Sequence, residues 1–247
     1  MKILGIIPAR YASTRLPGKS LIEIGGKTMI QRVYEQVALC NSLTHYIVAT
    51  DDSRIADQVR SFGGEVILTS PQHLNGTERC AEVLSIIGQH FDVVINIQGD
   101  EPFINPLQIN TLADLMRNTN CDIGTLIKIC ADRTQLENPS IIKAVVNNQF
   151  KALYFSRAVI PYLRNENQNH IFYKHIGIYG YKTAVLRKIV QLPPSILEIA
   201  ESLEQLRWIE NGYSIHTAIT PFESISIDTP ADIERAITIC NTLSSSV

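Results

Sequence analysis

Residues 1–22 read MKILGIIPARYASTRLPGKSLI. An apolar run from Ile3 to Ile7 leads directly into a polar loop, and the segment holds four cationic side chains and no acidic one. The run is too short to cross a membrane and is typical of a strand buried on both faces of a parallel sheet. Open α/β sheets bind ligands at the carboxyl ends of such strands. Arg10, Arg15 and Lys19 therefore predict a site for a polyanion such as a nucleoside triphosphate.

Segments of strand and helix character alternate through the first hundred residues. Strands are predicted at residues 3–7, 46–49, 66–68 and 93–97, and helices at 29–39, 55–62 and 77–87. This alternation predicts an α/β fold with a doubly wound, mainly parallel sheet.

The second half of the chain is less regular. Strands are predicted at residues 122–130, 141–146, 152–155, 172–180 and 214–219, and helices at 199–210 and 230–242. Thr229 is a candidate N-cap for the last helix, with Pro230 in its first turn. We interpret residues of about 121–212 as an irregular α+β insertion. Residues of about 1–120 and 213–247 then form the nucleotide-binding sheet of a single domain.

The composition argues against several classes of protein. Of the 247 residues, 45% are hydrophobic and 19% are charged, so one sizeable core is expected. A formal net charge of −2 lacks the basic excess of a general nucleic-acid binder. Five scattered cysteines without a CxxC pair are typical of reduced thiols in a cytosolic protein. We expect no signal peptide, and because no apolar run of about 18 residues occurs in the sequence, we expect no membrane span.

The loop at residues 13–20 invites comparison with a phosphate-binding P-loop. That motif begins with glycine, whereas this loop begins with Ser13, and Pro17 lacks the N–H that the cradle needs. The lysine of a P-loop also lies at the start of a helix, but here Gly25 and Gly26 follow soon after Lys19. A P-loop-like NTPase is therefore the weaker alternative.

A second group of polar residues follows the strand predicted at residues 93–97. Gly99 is expected to permit an unusual backbone angle and to leave room for a ligand. Asp100 then lies at the carboxyl edge of the sheet, where Mg²⁺ would separate it from the phosphates of a nucleotide. Asp228 comes just before the last helix, and its position suits either a helix cap or a second Mg²⁺ ligand.

Further candidates lie at a helix start and in the second half. Residues 75–79 (NGTER) suit a helix capped near Thr77, or a backbone that contacts the edge of a base. Arg157 has the planar fork that binds carboxylates. His175 suits a satisfied core position or a ligand contact, whereas Glu204 and Gln205 are placed to face a polyhydroxy substrate.

Seven motifs, in order, match one family: residues 8–19 (PARYASTRLPGK), 75–79 (NGTER), 98–102 (QGDEP), 153–157 (LYFSR), 175–181 (HIGIYGY), 203–207 (LEQLR) and 228–230 (DTP). Through them the chain resembles the 3-deoxy-manno-octulosonate (Kdo) cytidylyltransferases, also called CMP-Kdo synthetases. The first motif is shared with CMP-sialic acid synthetases, whereas the later motifs together point to Kdo.

The resemblance implies a Rossmann-like nucleotidyltransferase fold and a reaction in which CTP and Kdo give CMP-Kdo and pyrophosphate, for lipopolysaccharide biosynthesis. It implies a cytoplasmic homodimer, with sugar and dimer contacts in the insertion. The catalytic residues would be Arg10, Arg15, Lys19 and Asp100, and the Mg²⁺ ligands Asp100 and Asp228. The implied nucleotide contacts are Pro8, Ala9, Arg10, Arg15, Lys19, Ser70, Asn75, Gly76, Arg79 and Gln98. The implied sugar contacts are Gln98, Arg157, His175, Tyr179, Glu204 and Gln205.

Three alternatives stay open at the level of sequence. The sugar substrate is either Kdo or a close analogue such as 8-amino-Kdo, because no residue identifies the substituent at C8. The other two alternatives are that the chain is a P-loop-like NTPase, or that it is a nucleotide-binding module that has lost catalysis. Both Asp100 and Asp228 are present, which argues against the last alternative.

Overall fold

The structure, a computed structural model, describes residues 1–12, 16–118, 121–165, 169–223 and 225–244. The chain forms two compact units, Met1–Asn110 with Ser224–Val247 and Thr111–Glu223, called here the first and the second unit. The assignment of one part of the chain to the nucleotide and another to sugar and dimer contacts stays a prediction.

The strands are β1 (Ile3–Ala9), β2 (Glu23–Ile24), β3 (Lys27–Thr28), β4 (His45–Thr50), β5 (Val66–Leu68), β6 (Val93–Asn96), β7 (Ile123–Ile129), β8 (Lys143–Val146), β9 (Ala152–Ser156), β10 (Tyr173–Lys182) and β11 (Ile215–Ile219). The α-helices are α1 (Met29–Ala38), α2 (Ser53–Ser61), α3 (Gly76–Ile86), α4 (Pro106–Asn118), α5 (Thr183–Ile189), α6 (Ile196–Glu201), α7 (Glu204–Glu210) and α8 (Pro230–Ser244). Within the described part of the chain, no helix has both the length and the apolar character needed to cross a membrane.

The sheet of the first unit is parallel. Its strands lie in the order β6, β1, β4 and β5, and each neighbouring pair runs in the same direction. Every residue of β1 except the half-buried Pro8 is buried, which confirms the predicted buried parallel strand. Because the strands share one direction, the chain leaves β1, β4 and β6 at the same edge of the sheet.

Helices α1, α2 and α3 each contact this sheet through one face. In α1 the buried residues Met29, Ile30, Val33 and Val37 recur at helical spacing, as the sequence pattern predicted. Helix α2 ends at Ser61, and Gly63 follows with a φ of 80°, a left-handed angle that suits glycine. Each helix thus packs its apolar face against the sheet and turns its polar face outward.

Helix α8 completes the first unit and begins where the sequence indicated. Thr229 Oγ1 accepts a hydrogen bond from the Asp232 N–H at 3.3 Å, and Asp232 Oδ2 accepts from the Thr229 N–H at 2.9 Å. This reciprocal pair is a capping box, with Pro230 at the first helical position. It confirms Thr229 as the cap. The helix packs into an apolar cluster of Ile24, Met29, Ile227, Ala236 and Cys240.

The second unit contains a mixed sheet. Strand β7 pairs in parallel with β11 and antiparallel with β10, while β8 pairs antiparallel with both β10 and β9. The register between β7 and β10 shifts between Ile176 and Tyr179, so β10 carries an irregularity around Gly177. Such bulges redirect neighbouring side chains and carbonyl groups.

The prediction of a single helix over residues 199–210 is wrong, because the structure has two helices there. Ser202 adopts a left-handed conformation with φ 52° and ψ 49°, which ends α6 before α7 begins. The break is stabilised from outside, since Arg157 Nε donates to Glu201 O at 2.7 Å and Nη2 donates to Ser202 O at 3.3 Å. Neither glycine nor proline marks this break in the sequence. Helices α4 and α5 were not predicted at all.

We expect Gly180→Ala to destabilise the protein by about 1–3 kcal/mol, because overpacking a close contact has this cost. A Cβ at Gly180 would lie 2.9 Å from Met116 Cγ, and Met116 is fully buried. Gly177→Ala is the matched control on the same strand, because a Cβ there meets no atom of the described residues within 4 Å. Urea unfolding of both variants measures the difference, and equal free energies of unfolding would contradict the packing argument.

Candidate active site

The loop that follows β1 turns Lys19 towards the edge of the sheet. Gly18 has a φ of 68° and its N–H donates to Tyr11 O at 2.8 Å, after which residues Lys19–Leu21 form a single 3₁₀ turn. The Tyr11 ring lies beneath the guanidinium of Arg54, with 3.4 Å from Cζ to the ring centroid. Arg15, a predicted catalytic and nucleotide-binding residue, lies outside the described residues.

The centre of the site is an ammonium group between two carboxylates. Lys19 Nζ lies 2.5 Å from Asp100 Oδ2 and 3.1 Å from Asp228 Oδ1. The side chains are 14%, 24% and 26% exposed respectively, so the three charges are partly shielded from water. The cation thereby offsets the repulsion between two carboxylates held close together.

Close backbone contacts place the two carboxylates. A Cβ at Gly99 would collide with the carbonyl oxygen of Pro8, so glycine allows the segment after β6 to lie against the end of β1. Gly99 is not among the glycines with positive φ, and the unusual backbone angle predicted for it is therefore wrong. The Ile227 N–H donates to Asp100 O at 3.0 Å, which ties the segment before α8 to the segment after β6.

Asp228 faces Lys19 while its neighbours cap α8. The sequence left two roles open for Asp228, helix cap and Mg²⁺ ligand. The helix cap is formed by Thr229 together with Asp232. Burial alone would raise the pKa of Asp232, but hydrogen bonds from the Thr229 hydroxyl and from the Asp228 and Thr229 N–H groups lower it. The ionised Asp232 thus holds the turn that positions Asp228.

Helix α3 directs its N-terminus at the same edge. Its N-cap is Asn75, whose Oδ1 accepts from the Glu78 N–H at 2.9 Å, so the helix begins at Gly76, one residue before its predicted start at Thr77. A helix N-terminus favours anions through its free N–H groups. Arg79 is only 3% exposed, and its Nη2 donates to Asp51 Oδ2 at 3.0 Å while Nη1 donates to Thr69 Oγ1. Its guanidinium therefore braces the wall of the site.

These segments of the first unit enclose a cavity of about 260 Å³. It is lined by Pro8, Ala9, Arg10, Lys19, Ser20, His73, Asn75, Gly76, Arg79, Gln98, Gly99, Asp100 and Asp228. Apart from Arg15, the only predicted nucleotide contact missing from this lining is Ser70, whose N–H donates to Glu82 Oε2 at 2.8 Å. Sequence reasoning missed Ser20. His73 was not named by itself, but the resemblance implied that residues 70–79, which include it, read cytosine.

The donor set at the centre suits Mg²⁺. Two carboxylates with substrate phosphate oxygens are a usual environment for this ion. Among the described residues, no group of three or more His, Cys, Asp or Glu side chains could hold a metal by itself. A metal at Asp100 and Asp228 would therefore take its remaining ligands from a nucleotide and water.

In the second unit, Arg157 makes contacts that the sequence did not foresee. Nε, Nη1 and Nη2 donate to the carbonyl oxygens of Glu201, Pro139 and Ser202, at 2.7, 2.9 and 3.3 Å. The planar fork predicted for a substrate carboxylate thus holds three backbone carbonyls. The fully buried Lys143 acts in the same way, because Nζ donates to Asn138 O, Ile141 O and Arg157 O. Burial lowers the pKa of Lys143.

His175 is held by the buried hydroxyl of Thr125. Thr125 Oγ1 lies 2.9 Å from His175 Nε2 and 2.8 Å from Ile178 O, at the irregularity in β10. A carbonyl oxygen can only accept, so the hydroxyl donates to Ile178 and accepts from Nε2–H. Burial lowers the pKa of His175 to about 3. The ring is therefore neutral at pH 7, with Nδ1 as an acceptor.

The other predicted sugar contacts of the second unit lie at a helix start and in β10. Glu204 and Gln205 are in the first turn of α7, with Glu204 half-buried and Gln205 buried. The buried hydroxyl of Tyr179 has no hydrogen-bond partner among the described residues, and burial raises the pKa of Tyr179. Gln98, predicted for both substrates, lines the cavity of the first unit.

A family model described as Cytidylyltransferase matches residues 4–219. The chain belongs to this family. A 3-deoxy-manno-octulosonate cytidylyltransferase from Parabacteroides distasonis is 53% identical over 246 residues, covering 96% of this chain and 97% of the relative. One from Bacteroides thetaiotaomicron is 54% identical over 244 residues, covering 96% and 97%. The predicted family is thereby confirmed.

Solved structures agree with this assignment. A structure of CMP:2-keto-3-deoxy-manno-octonic acid synthetase complexed with CTP has a TM-score of 0.93 and 42% identity, covering 98% of this chain and 99% of the other. The 4-diphosphocytidyl-2C-methyl-D-erythritol synthase of Anaerococcus prevotii has a TM-score of 0.66 at 13% identity, covering 97% and 98%, and shows the fold alone. The predicted nucleotidyltransferase fold is confirmed.

We expect the His175 ring to stay neutral from pH 7 down to about 4.5, because its pKa is lowered from 6.5 to about 3. Between these two values the unfolded chain binds a proton that the folded chain does not. The free energy of unfolding therefore falls as the pH falls through this window, by up to about 1.4 kcal/mol per pH unit from this group. ¹⁵N NMR of the imidazole measures the titration, and a midpoint near 6.5 would contradict the buried neutral ring.

Proposed function

We propose that the chain transfers CMP from CTP to the anomeric hydroxyl of Kdo, giving CMP-Kdo and pyrophosphate. The observation that carries the proposal is the Lys19 ammonium between Asp100 and Asp228, in a cavity at the carboxyl ends of parallel strands. The names of relatives that are more than 50% identical over nearly the full chain support it. So does the similar fold of a synthetase complexed with CTP.

The reaction is a direct displacement at phosphorus. The anomeric oxygen of Kdo forms a bond to the α-phosphorus of CTP, the bond from that phosphorus to the β-phosphate oxygen breaks, and the hydroxyl proton passes to solvent. Such a step depends on positioning and charge neutralisation more than on covalent catalysis. Arg10, Lys19 and the N-terminus of α3 supply positive charge at the cavity. Arg15 keeps its proposed role on the strength of its motif.

Asp100 and Asp228 are the proposed holders of Mg²⁺. When bound, the ion would neutralise phosphate charge and polarise the α-phosphate. In the structure described here the Lys19 ammonium provides the positive charge between these carboxylates. The same ammonium would pair with the triphosphate and with the departing pyrophosphate.

The sugar contacts proposed from the motifs are Gln98, Arg157, His175, Tyr179, Glu204 and Gln205. The contacts of Arg157 indicate that only part of its guanidinium group is available to bind the Kdo carboxylate. Of its five N–H donors, three are engaged by backbone carbonyls, which leaves two for a substrate. Kdo is the proposed sugar, and 8-amino-Kdo is the alternative that direct comparison of substrates decides.

The first experiment is pyrophosphate release with Mg²⁺, CTP and Kdo. We expect release only when all three are present, because displacement needs the nucleotide, its metal and the attacking hydroxyl together. Reactions with UTP, ATP, sialic acid or 8-amino-Kdo, and reactions without sugar, serve as comparisons. Phosphate release from any triphosphate without a sugar would contradict the proposal and support an NTPase.

Variants separate the metal site from the general fold. We expect Asp100→Asn to lower turnover by about a hundredfold or more and to weaken Mn²⁺ binding in the presence of CTP. Asp57→Asn is the matched carboxylate-to-amide control, because Asp57 is 73% exposed and pairs only with Arg60 among the ion pairs of the described residues. Near-normal turnover and Mn²⁺ affinity in a folded Asp100→Asn variant would remove Asp100 from the metal role.

We also propose, from the family resemblance, that the protein is a cytoplasmic homodimer that supplies an activated sugar for lipopolysaccharide assembly. Exposed apolar side chains in the second unit, such as Tyr162, Ile196 and Ile199, support a self-contact. Sedimentation equilibrium should give twice the 27.6 kDa mass of one chain. A single-chain mass at micromolar concentration would contradict the dimer.

A further inference from the structure

An arginine outside the cavity contacts the loop that carries Lys19. Arg54, in the first turn of α2, places its guanidinium over the Tyr11 ring, with 3.4 Å from Cζ to the ring centroid. Tyr11 belongs to the first sequence motif but has no assigned role, and Arg54 belongs to none of the seven motifs. Among the described residues, neither of the two lines the cavity. An influence of Arg54 on a ligand in the cavity therefore acts through the loop.

A carboxylate restrains this guanidinium. Arg54 Nε donates to Asp52 Oδ1 at 2.9 Å and Nη2 donates to Oδ2 at 2.7 Å, a two-point contact that matches the planar fork of arginine. Asp52 is also the N-cap of α2, because its Oδ1 accepts from the Arg54 N–H at 2.9 Å. The hydrogen bonds from the Arg54 side chain lower the pKa of Asp52. Although the Arg54 side chain is 57% exposed, it is thus held over the ring.

The Tyr11 ring passes this contact on to the residue before Lys19. A Cβ at Gly18 would lie 3.0 Å from Tyr11 Cε2 and 3.1 Å from Cζ, so the ring packs directly against Gly18. The Tyr11 carbonyl accepts from the Gly18 N–H at 2.8 Å. The side chain and the main chain of Tyr11 together hold Gly18, from which Lys19 turns towards Asp100 and Asp228.

The chemistry of the contact suits positioning better than ligand binding. Asp52 compensates the charge of Arg54, so the pair carries no net charge that would attract phosphate groups. A guanidinium stacked on an aromatic ring is a directional contact, and at an exposed site it changes an equilibrium constant by about twofold to fivefold. Such a contact is strong enough to favour one conformation of a short loop.

We propose that Arg54 is a positioning residue for the reaction, which holds the Tyr11 ring against Gly18 and so sets the position of the Lys19 ammonium. The inference rests on the proposed function, because it takes the cavity to hold the triphosphate of CTP. Without the stack, the loop after β1 samples other conformations and Lys19 is less often in the productive place. The effect is confined to the phosphate half of the nucleotide.

The test compares Arg54→Met, which keeps an apolar stem, and Tyr11→Leu with wild type. Titration calorimetry gives the dissociation constants for CTP, pyrophosphate and cytidine, and steady-state kinetics gives KM for CTP and for Kdo. We expect both variants to bind CTP and pyrophosphate about twofold to fivefold more weakly, the size of a cation–π contact at an exposed site. Cytidine affinity and KM for Kdo should not change. The double variant should bind no more weakly than the weaker single variant, because both remove the same contact.

Arg60→Met is the matched control, because Arg60 lies on the same helix, is 55% exposed and donates to Asp57 Oδ1 at 2.9 Å. It should bind all three ligands as wild type does. Tyr11→Phe keeps a ring beneath the guanidinium and should keep the affinity that Tyr11→Leu loses. Proton NMR of the free protein adds a readout that a general loss of stability would not give. The ring should shift the Arg54 Hδ signals upfield in wild type and in Tyr11→Phe, but not in Tyr11→Leu.

Unchanged affinity for CTP and pyrophosphate in both variants would overturn the proposal, as would an equal loss in Arg60→Met or a loss that extends to cytidine. Arg54 Hδ signals without an upfield shift in wild type would also overturn it. The binding and NMR measurements need no turnover. If wild type binds CTP but transfers nothing to Kdo, the proposed reaction fails while the role of Arg54 is still decided. If wild type binds neither CTP nor pyrophosphate, both fail.

Discussion

The site depends on the compensation of charge at Lys19. Its ammonium contacts Asp100 and Asp228, which are 81 and 209 residues away in the sequence. Two partly buried carboxylates placed this close would repel each other without a cation, and the segments that carry them would separate. The same requirement makes the site suited to a divalent ion, because the position needs positive charge whichever group supplies it. Structure and proposed chemistry thus follow from one electrostatic constraint.

Close backbone packing makes that arrangement possible. Gly99 lies against the Pro8 carbonyl, and Ile227 N–H bonds to the Asp100 carbonyl, so three chain segments meet without intervening side chains. The capping box at Thr229 then fixes the direction in which Asp228 leaves the turn. Main-chain contacts thus bring together the segments that carry the carboxylates, and the Lys19 ammonium offsets the repulsion between the two charges.

Several cations in the second unit serve the backbone. Lys143 and Arg157 both donate to main-chain carbonyls, and Arg207 Nη1 donates to Leu192 O at 2.8 Å. A buried ammonium or guanidinium that satisfies carbonyl groups stabilises irregular segments that lack ladder hydrogen bonds. Such residues cannot be distinguished from substrate-binding cations by type or spacing, and this is why Arg157 was predicted to use its fork on a carboxylate.

The sequence by itself determined the parallel sheet, the apolar faces of its helices, the Thr229 cap and most of the residues that line the cavity of the first unit. These are local properties, because periodicity, capping residues and strand ends are encoded by near neighbours. Only the tertiary structure decided that Ser202 breaks a helix, that Gly99 serves a close contact, and that His73 reaches the cavity wall. The break at Ser202 depends on Arg157, and the close contact of Gly99 depends on Pro8, both distant in the sequence. The position of His73 depends on the path of a loop that Glu82 contacts. Contacts of this kind arise from the folded arrangement of the chain, and no local pattern specifies them.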